Sequence, residues 1–290
     1  MKKFIYFICI ILVITFCGGL LSGLFTISLT FPEIPSNSAT DESAGSTDNF
    51  TSNSPENPDD KPTDNNLSVD YSNIVYSALG DSITFGQDGI SNTPMEETFV
   101  DVVGDTLGFK KTYNLGIGWS TVARLDSCTC HDNFSTGHNP MCDRYKNIST
   151  LSDIISIWGG VNDMSRTPLG DIDSYDVATF YGAYNTLIKG VKDRYPSAWV
   201  FLITPTTSRN WHSGELTNDF GLTNMDYVNA VIALGEKWDL PVLEMHDNEA
   251  IKNELASSVS DGVHPSKELV DAVIAPMIVQ FIKDNYKLNN

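Results

Sequence analysis

The stretch Asp153–Gly160, DIISIWGG, is apolar almost without interruption and ends on paired glycines. A strand that faces water on one side alternates apolar with polar, whereas one covered on both faces reads as a continuous apolar run. Ala198–Pro205, AWVFLITP, repeats the pattern. Outward from these two runs, strand-like segments alternate with helical ones. NIVYSAL (73–79), KTYNLG (111–116) and LPVLEM (240–245) read as further strands. EETFVDVVGDTLG (96–108), YDVATFYGAYNTLIKGVKDRY (175–195), NMDYVNAVIALGEKW (224–238) and SKELVDAVIAPMIVQFIKDNY (266–286) read as amphipathic helices. Another helix is expected from Ser120, and Pro276 is expected to kink the last one. This alternation predicts an α/β fold: a parallel sheet of about five strands between two layers of helices.

The first residues are of another kind. Lys2 and Lys3 precede an uncharged, largely apolar run from Phe4 to Phe31. A cleavable signal has an apolar region of about 7–15 residues and a small-residue cleavage site. This run is longer and lacks that site, and about 20 apolar residues span a bilayer. Residues 1–31 are therefore expected to be a retained anchor, with secretion after cleavage as the alternative. The two lysines would lie in the cytoplasm and the rest of the chain outside. Residues 32–70, rich in Ser, Asn, Asp, Thr and Pro, have almost nothing to bury and are expected to be a disordered tether. Residues 71–290 form the expected catalytic domain.

Lys and Arg number 18 against 37 Asp and Glu, a formal net charge of −19. That balance argues against a nucleic-acid partner, because phosphate binding needs clustered cations. No phosphate loop, zinc helix or EF-hand motif occurs.

In parallel α/β sheets, working sites lie beyond the carboxyl ends of the strands. The first strand ends at Gly80-Asp81-Ser82, the second runs into NLGIGWST (114–121), and the third ends at Gly159-Gly160-Val161-Asn162-Asp163. Before the last helix stands Asp261-Gly262-Val263-His264-Pro265. A nucleophilic serine needs a base, and the base needs an orienting carboxylate. Of five histidines, His264 has a carboxylate three residues before it on a short loop. The expected catalytic set is Ser82, His264 and Asp261. Oxyanion donors would be the Asn162 side chain, the Ser82 N–H and the glycine-rich turn at Gly116–Trp119.

These motifs resemble those of the SGNH hydrolases, or GDSL esterases and lipases. GDSIT matches the first family motif, with Ser82 as nucleophile and Gly80 and Asp81 in support. Gly160-Val161-Asn162-Asp163 matches the third, with Asn162 as oxyanion donor. Asp261-Gly262-Val263-His264-Pro265 matches the last. The resemblance implies a flavodoxin-like three-layer α/β/α sandwich and a cofactor-free ester hydrolase working through an acyl-enzyme. The second motif departs from the family pattern. Counting back from Thr121 places its donor on Trp119, while Gly118 lies one residue earlier. Gly118 is the expected donor and Trp119 the alternative, where an indole would crowd the acyl pocket. The G-x-S-x-G elbow of the α/β-hydrolases is absent around Ser82.

The expected substrate is an acyl ester, short-chain such as O-acetyl, on a small molecule or a glycan. A lipid or lysophospholipid ester, acyl transfer to a sugar hydroxyl, and a non-catalytic binding module are the alternatives. Between Cys128 and Cys142, three cysteines (with Cys130) and two histidines (His131, His138) leave a disulfide, a metal site or neither open.

Overall fold

The computed structural model describes residues 69–125, 139–207 and 217–287. All of these lie in the compact unit Asp64–Asn290. Five parallel strands, β1 (Val75–Gly80), β2 (Lys111–Gly116), β3 (Ile154–Trp158), β4 (Trp199–Ile203) and β5 (Val242–Leu243), form one sheet in the order β2-β1-β3-β4-β5. The expected three-layer sandwich is what the chain forms. The order turns back at β1, which pairs with β2 on one side and β3 on the other. In open α/β sheets ligands bind beyond the carboxyl ends of the strands at such a switch point, here the end of β1.

Side-chain alternation along the central strands explains the layers. Tyr76, Ala78, Ile154, Trp158, Phe201 and Ile203 join one buried cluster; Leu79, Ile155, Ile157, Val200 and Leu202 join the other. The first cluster is closed by α2 (Phe99–Leu107), α6 (Glu249–Ser257) and α8 (Ala275–Asn285). The second is closed by α4 (Phe180–Arg194) and α5 (Asn224–Trp238). Burying one such large apolar side chain contributes about 1.5–3 kcal/mol, so the doubly covered strands anchor the domain. Polar intruders are paired: Tyr76 with Ser156 and Ser77 with Ser152, each at 2.7 Å.

Local signals account for most boundaries. Thr98 and Asp101 make a capping box at the start of α2, and Gly108 ends it in the left-handed conformation at φ 67°. Thr223 and Asp226 repeat the box on α5. Two expectations are corrected. No helix starts at Ser120; residues 117–125 are a turn and irregular chain, and the next helix among the described residues is the one-turn α3 (Met141–Arg144). The last helical run does not simply kink at Pro276. The short α7 (Lys267–Leu269) widens into a π-helical turn at Val270–Ile274, and Pro276 then sits in the first turn of α8. The wider turn absorbs the hydrogen bond that proline cannot donate. Three helices went unread in the sequence, the four-residue α1 (Ser82–Phe85), α3 and α6. Among the described residues no helix is long and apolar enough to cross a membrane; Phe4–Phe31 lies outside them.

Candidate active site

Ser82 opens α1 directly after β1. Asp81 is the N-cap, and its carboxylate accepts from the Ile83 N–H at 2.9 Å. The turn is too tight for side chains at two flanking positions. A Cβ on Gly80 would lie 2.0 Å from Thr84 Oγ1, and one on Gly116 would lie 2.0 Å from the Phe85 nitrogen. Asn114 on β2 donates to the Thr84 carbonyl at 2.6 Å, fastening α1 to the sheet. The serine is thus held at the switch point with its hydroxyl facing the Asp261–Pro265 loop.

His264 Nε2 lies 2.7 Å from Ser82 Oγ, and His264 Nδ1 lies 2.6 Å from Asp261 Oδ2. Asp261 Oδ1 also accepts from the N–H groups of Val263 (2.8 Å) and His264 (3.0 Å). Burial pushes the Asp261 carboxyl up, but the His264 ring, these two N–H groups and the charge of His264 outweigh it and hold the pKa below the usual value. An ionised carboxylate can only accept, so Nδ1 carries the proton and Nε2 accepts from the serine hydroxyl. This is a proton relay of the kind that activates a serine.

The relay loop is braced from both sides. The Gly89 N–H donates to Pro265 O, while Ser260 donates to Gly89 O through both its N–H and its hydroxyl. A Cβ on Gly89 would fall 1.9 Å from His264 O, so only glycine permits this approach. On the far side Glu254 accepts from the Ser266 N–H (2.7 Å) and hydroxyl (2.9 Å), and Ser266 caps the helical run behind the histidine.

The remaining predicted residues follow β2 and β3, the strands on either side of β1. Asn162 donates one of its two amide hydrogens to Ser120 O at 3.1 Å. Gly160, at φ 126°, is overhung by Phe180 and Pro205, and the buried Tyr184 hydroxyl donates to Gly159 O at 3.0 Å. Asp163 turns inward. Its carboxylate accepts from the Val122 and Ala123 N–H groups at 2.9 and 3.1 Å, tying the third motif to the second.

In the second motif, Ile117–Ser120 is a β-turn closed by Ser120 N–H to Ile117 O. The residue in the left-handed conformation is Trp119, at φ 63°, and not Gly118. A positive φ at the third turn position ordinarily calls for glycine. The indole does not fill a pocket: it is 47% exposed, with the Arg166 guanidinium 6.0 Å from a ring centre.

Sequence reading missed Arg144. Its side chain, 4% exposed, donates to Gly80 O (2.7 Å), Leu115 O (2.7 Å), Ser120 Oγ (3.0 Å) and Asn139 O (2.9 Å). No local pattern marks it, since its four acceptors are distributed over three separate stretches of chain. Burial pushes Asp81 up to about 7; the Ile83 N–H and Arg144 pull down, and Asp163 pushes up. Burial likewise pushes Asp163 up to about 6 against its Val122, Ala123 and Thr167 hydrogen bonds.

Of the proposed metal-or-disulfide cluster, Cys128, Cys130, His131 and His138 lie outside the described residues. Cys142 is a buried free thiol in α3, its pKa pushed up to about 12 chiefly by burial. No group of three metal-ligating side chains occurs among the described residues. His246 is buried against Thr204, its Nδ1 3.2 Å from the Thr204 hydroxyl.

A family profile described as GDSL-like Lipase/Acylhydrolase family matches residues 78–270, from β1 through the relay loop. No curated protein sequence matches the chain. Among solved structures, a protein from Lactobacillus plantarum is 27% identical, with a TM-score of 0.60 over 74% of this chain and 99% of that one. A lipase/acylhydrolase from Enterococcus faecalis is 20% identical, with a TM-score of 0.51 over 75% and 99%. A carbohydrate acetylesterase, Est24, from Sinorhizobium meliloti is 19% identical, with a TM-score of 0.52 over 73% and 100%.

Proposed function

The chain belongs to the GDSL-like lipase/acylhydrolase family and is an ester-hydrolysing enzyme, and from that premise we propose that it is a membrane-tethered, extracytoplasmic serine esterase removing short acyl groups such as acetyl from carbohydrate. The observation that carries the serine mechanism is the unbroken relay Ser82 Oγ–His264 Nε2 (2.7 Å) and His264 Nδ1–Asp261 Oδ2 (2.6 Å).

Ser82 Oγ attacks the ester carbonyl as its proton passes to His264 Nε2. Asp261, ionised, holds the imidazolium so formed in place. Negative charge collects on the carbonyl oxygen, within reach of the Ser82 N–H, the side-chain amide of Asn162 and the backbone of the Gly118–Trp119 turn. Donors fixed in advance are worth about 10²–10³ in kcat each. His264 then returns the proton to the departing alcohol, and water releases the acyl group by the same steps in reverse. The chemistry asks for no cofactor.

Two considerations support the location and the substrate class. The apolar run Phe4–Phe31 behind Lys2 and Lys3 suits an anchor, with residues 32–70 as a tether. A domain held outside a membrane meets O-acylated glycans. The test is steady-state turnover of p-nitrophenyl acetate and of an acetylated xylo-oligosaccharide by residues 68–290. Ser82→Ala should lower kcat by at least about 10³. Undiminished turnover by that variant would sink the serine mechanism; turnover of the aryl ester with none of the oligosaccharide would sink the carbohydrate assignment alone.

A further inference from the structure

We infer that Arg144 is a positioning residue for the oxyanion site: it locks the Ile117–Ser120 turn, with its left-handed Trp119, in register with the strand that delivers Ser82. The inference rests on the serine-esterase reading above and concerns the same reaction.

A bulky residue at positive φ is strained and persists only where its surroundings over-determine it. Here the restraints converge on the two ends of the turn. Before it, Arg144 holds Leu115 O, and Gly116 is wedged against the backbone of α1. After it, Ser120 is held at every polar atom: N–H to Ile117 O, carbonyl from Asn162, hydroxyl toward Asn139 O (2.8 Å) and Arg144. Gly80 O, immediately before Asp81-Ser82, accepts from Arg144 (2.7 Å) and from the Ile117 N–H that begins the turn (3.2 Å), and of these two donors only Arg144 also reaches Leu115 and Ser120. A planar guanidinium with five donors can span all these acceptors at once, which an ammonium on a flexible stem cannot. Its burial close to Asp81 adds a second reason for its presence, since each offsets the other's charge. Without the clamp, the turn keeps only the Ile117–Gly80, Ser120–Ile117, Ser120–Asn139 and Asn162–Ser120 hydrogen bonds and can relax toward φ values that tryptophan prefers. The Gly118–Trp119 peptide groups would then leave the position where the carbonyl oxygen gathers charge.

The test measures kcat and KM for p-nitrophenyl acetate in Arg144→Met, Arg144→Lys, Trp119→Gly and the double variant Arg144→Met/Trp119→Gly, each normalised to folded protein by near-ultraviolet circular dichroism. Loss of one preorganised donor predicts that Arg144→Met lowers kcat about 100-fold with KM changed by no more than about threefold. Lysine keeps the charge without the fork, so Arg144→Lys should fall about tenfold. Glycine takes up positive φ without strain, so Trp119→Gly should raise kcat at least about fivefold in the Arg144→Met background, a larger gain than it gives in the wild-type chain. If Arg144→Met does not fold, Arg144→Lys with and without Trp119→Gly gives the same comparison. Unchanged kcat per folded molecule on loss of Arg144, or no gain from glycine at 119, overturns the inference. Ser82→Ala assayed alongside separates the two levels: an active Ser82→Ala refutes the esterase reading, whereas an inactive one with a normal Arg144→Met refutes only the positioning role.

Discussion

The two walls of the site are built differently. On one side the relay loop Asp261–Pro265 lies near the surface, with Asp261 and His264 side chains 33% and 13% exposed, held largely by backbone hydrogen bonds and by the approach of Gly89. On the other side the Gly118–Trp119 turn and Asn162 rest on buried charge, with Arg144 beneath the turn and Asp163 beneath residues 122–123. Groups that move protons need access to substrate and water. Groups that only point dipoles gain from a rigid, low-dielectric base where each interaction is stronger. A surface charge bonded through its neighbours' backbone tolerates small movements, while a buried arginine with four partners does not.

Perturbing each wall should expose that difference. The largest effect is expected on the buried side. Asn162→Ala removes the proposed oxyanion donor and the tie to Ser120 O, so kcat for p-nitrophenyl acetate should fall by about 10²–10³ with little change in KM. A fall confined to KM would show that Asn162 only binds the ground state. On the relay side, Gly89→Ala places a Cβ into the His264 carbonyl and must push the loop outward. A displacement of about 1 Å predicts a loss of at least about tenfold in kcat, and a normal rate would mean that the loop adapts freely.

The smallest effect is on stability. The Asp261 carboxyl is held below its ordinary pKa in the folded chain, so its stabilising contribution is present above about pH 4, the unfolded value, and is lost as pH falls through the lower folded one. Thermal melts of wild type and Asp261→Asn should therefore differ most near neutrality and converge under acid. A gap that widens as pH falls would contradict the sign of this shift.

How much of this was legible in the sequence follows the same division. The strands were readable because Ile154–Trp158 and Trp199–Ile203 are covered on both faces and so are apolar but for Ser156. The relay was readable because Asp261 and His264 are close in the chain and Ser82 stands at a strand end. What escaped is held by long-range contacts. Arg144 is recognised only once Gly80, Leu115 and Ser120 surround it, and Gly89 matters through a carbonyl far along the chain. The helix expected from Ser120 failed because Ser120 spends its polar atoms on Ile117, Asn139 and Asn162 rather than on a helical ladder. Gly118 is the expected backbone donor because the family motif carries a glycine as donor, and spacing alone does not show that the left-handed residue of the turn is Trp119.

The central claim is that Ser82 carries the acyl group. Acid quenching of the reaction with p-nitrophenyl acetate within the first turnover, followed by peptide mass mapping, tests it directly. An added acetyl group on the peptide containing Ser82, absent in Ser82→Ala, is the expected result. Rapid turnover with an unmodified Ser82 peptide, or an acetyl group on another residue, would contradict it.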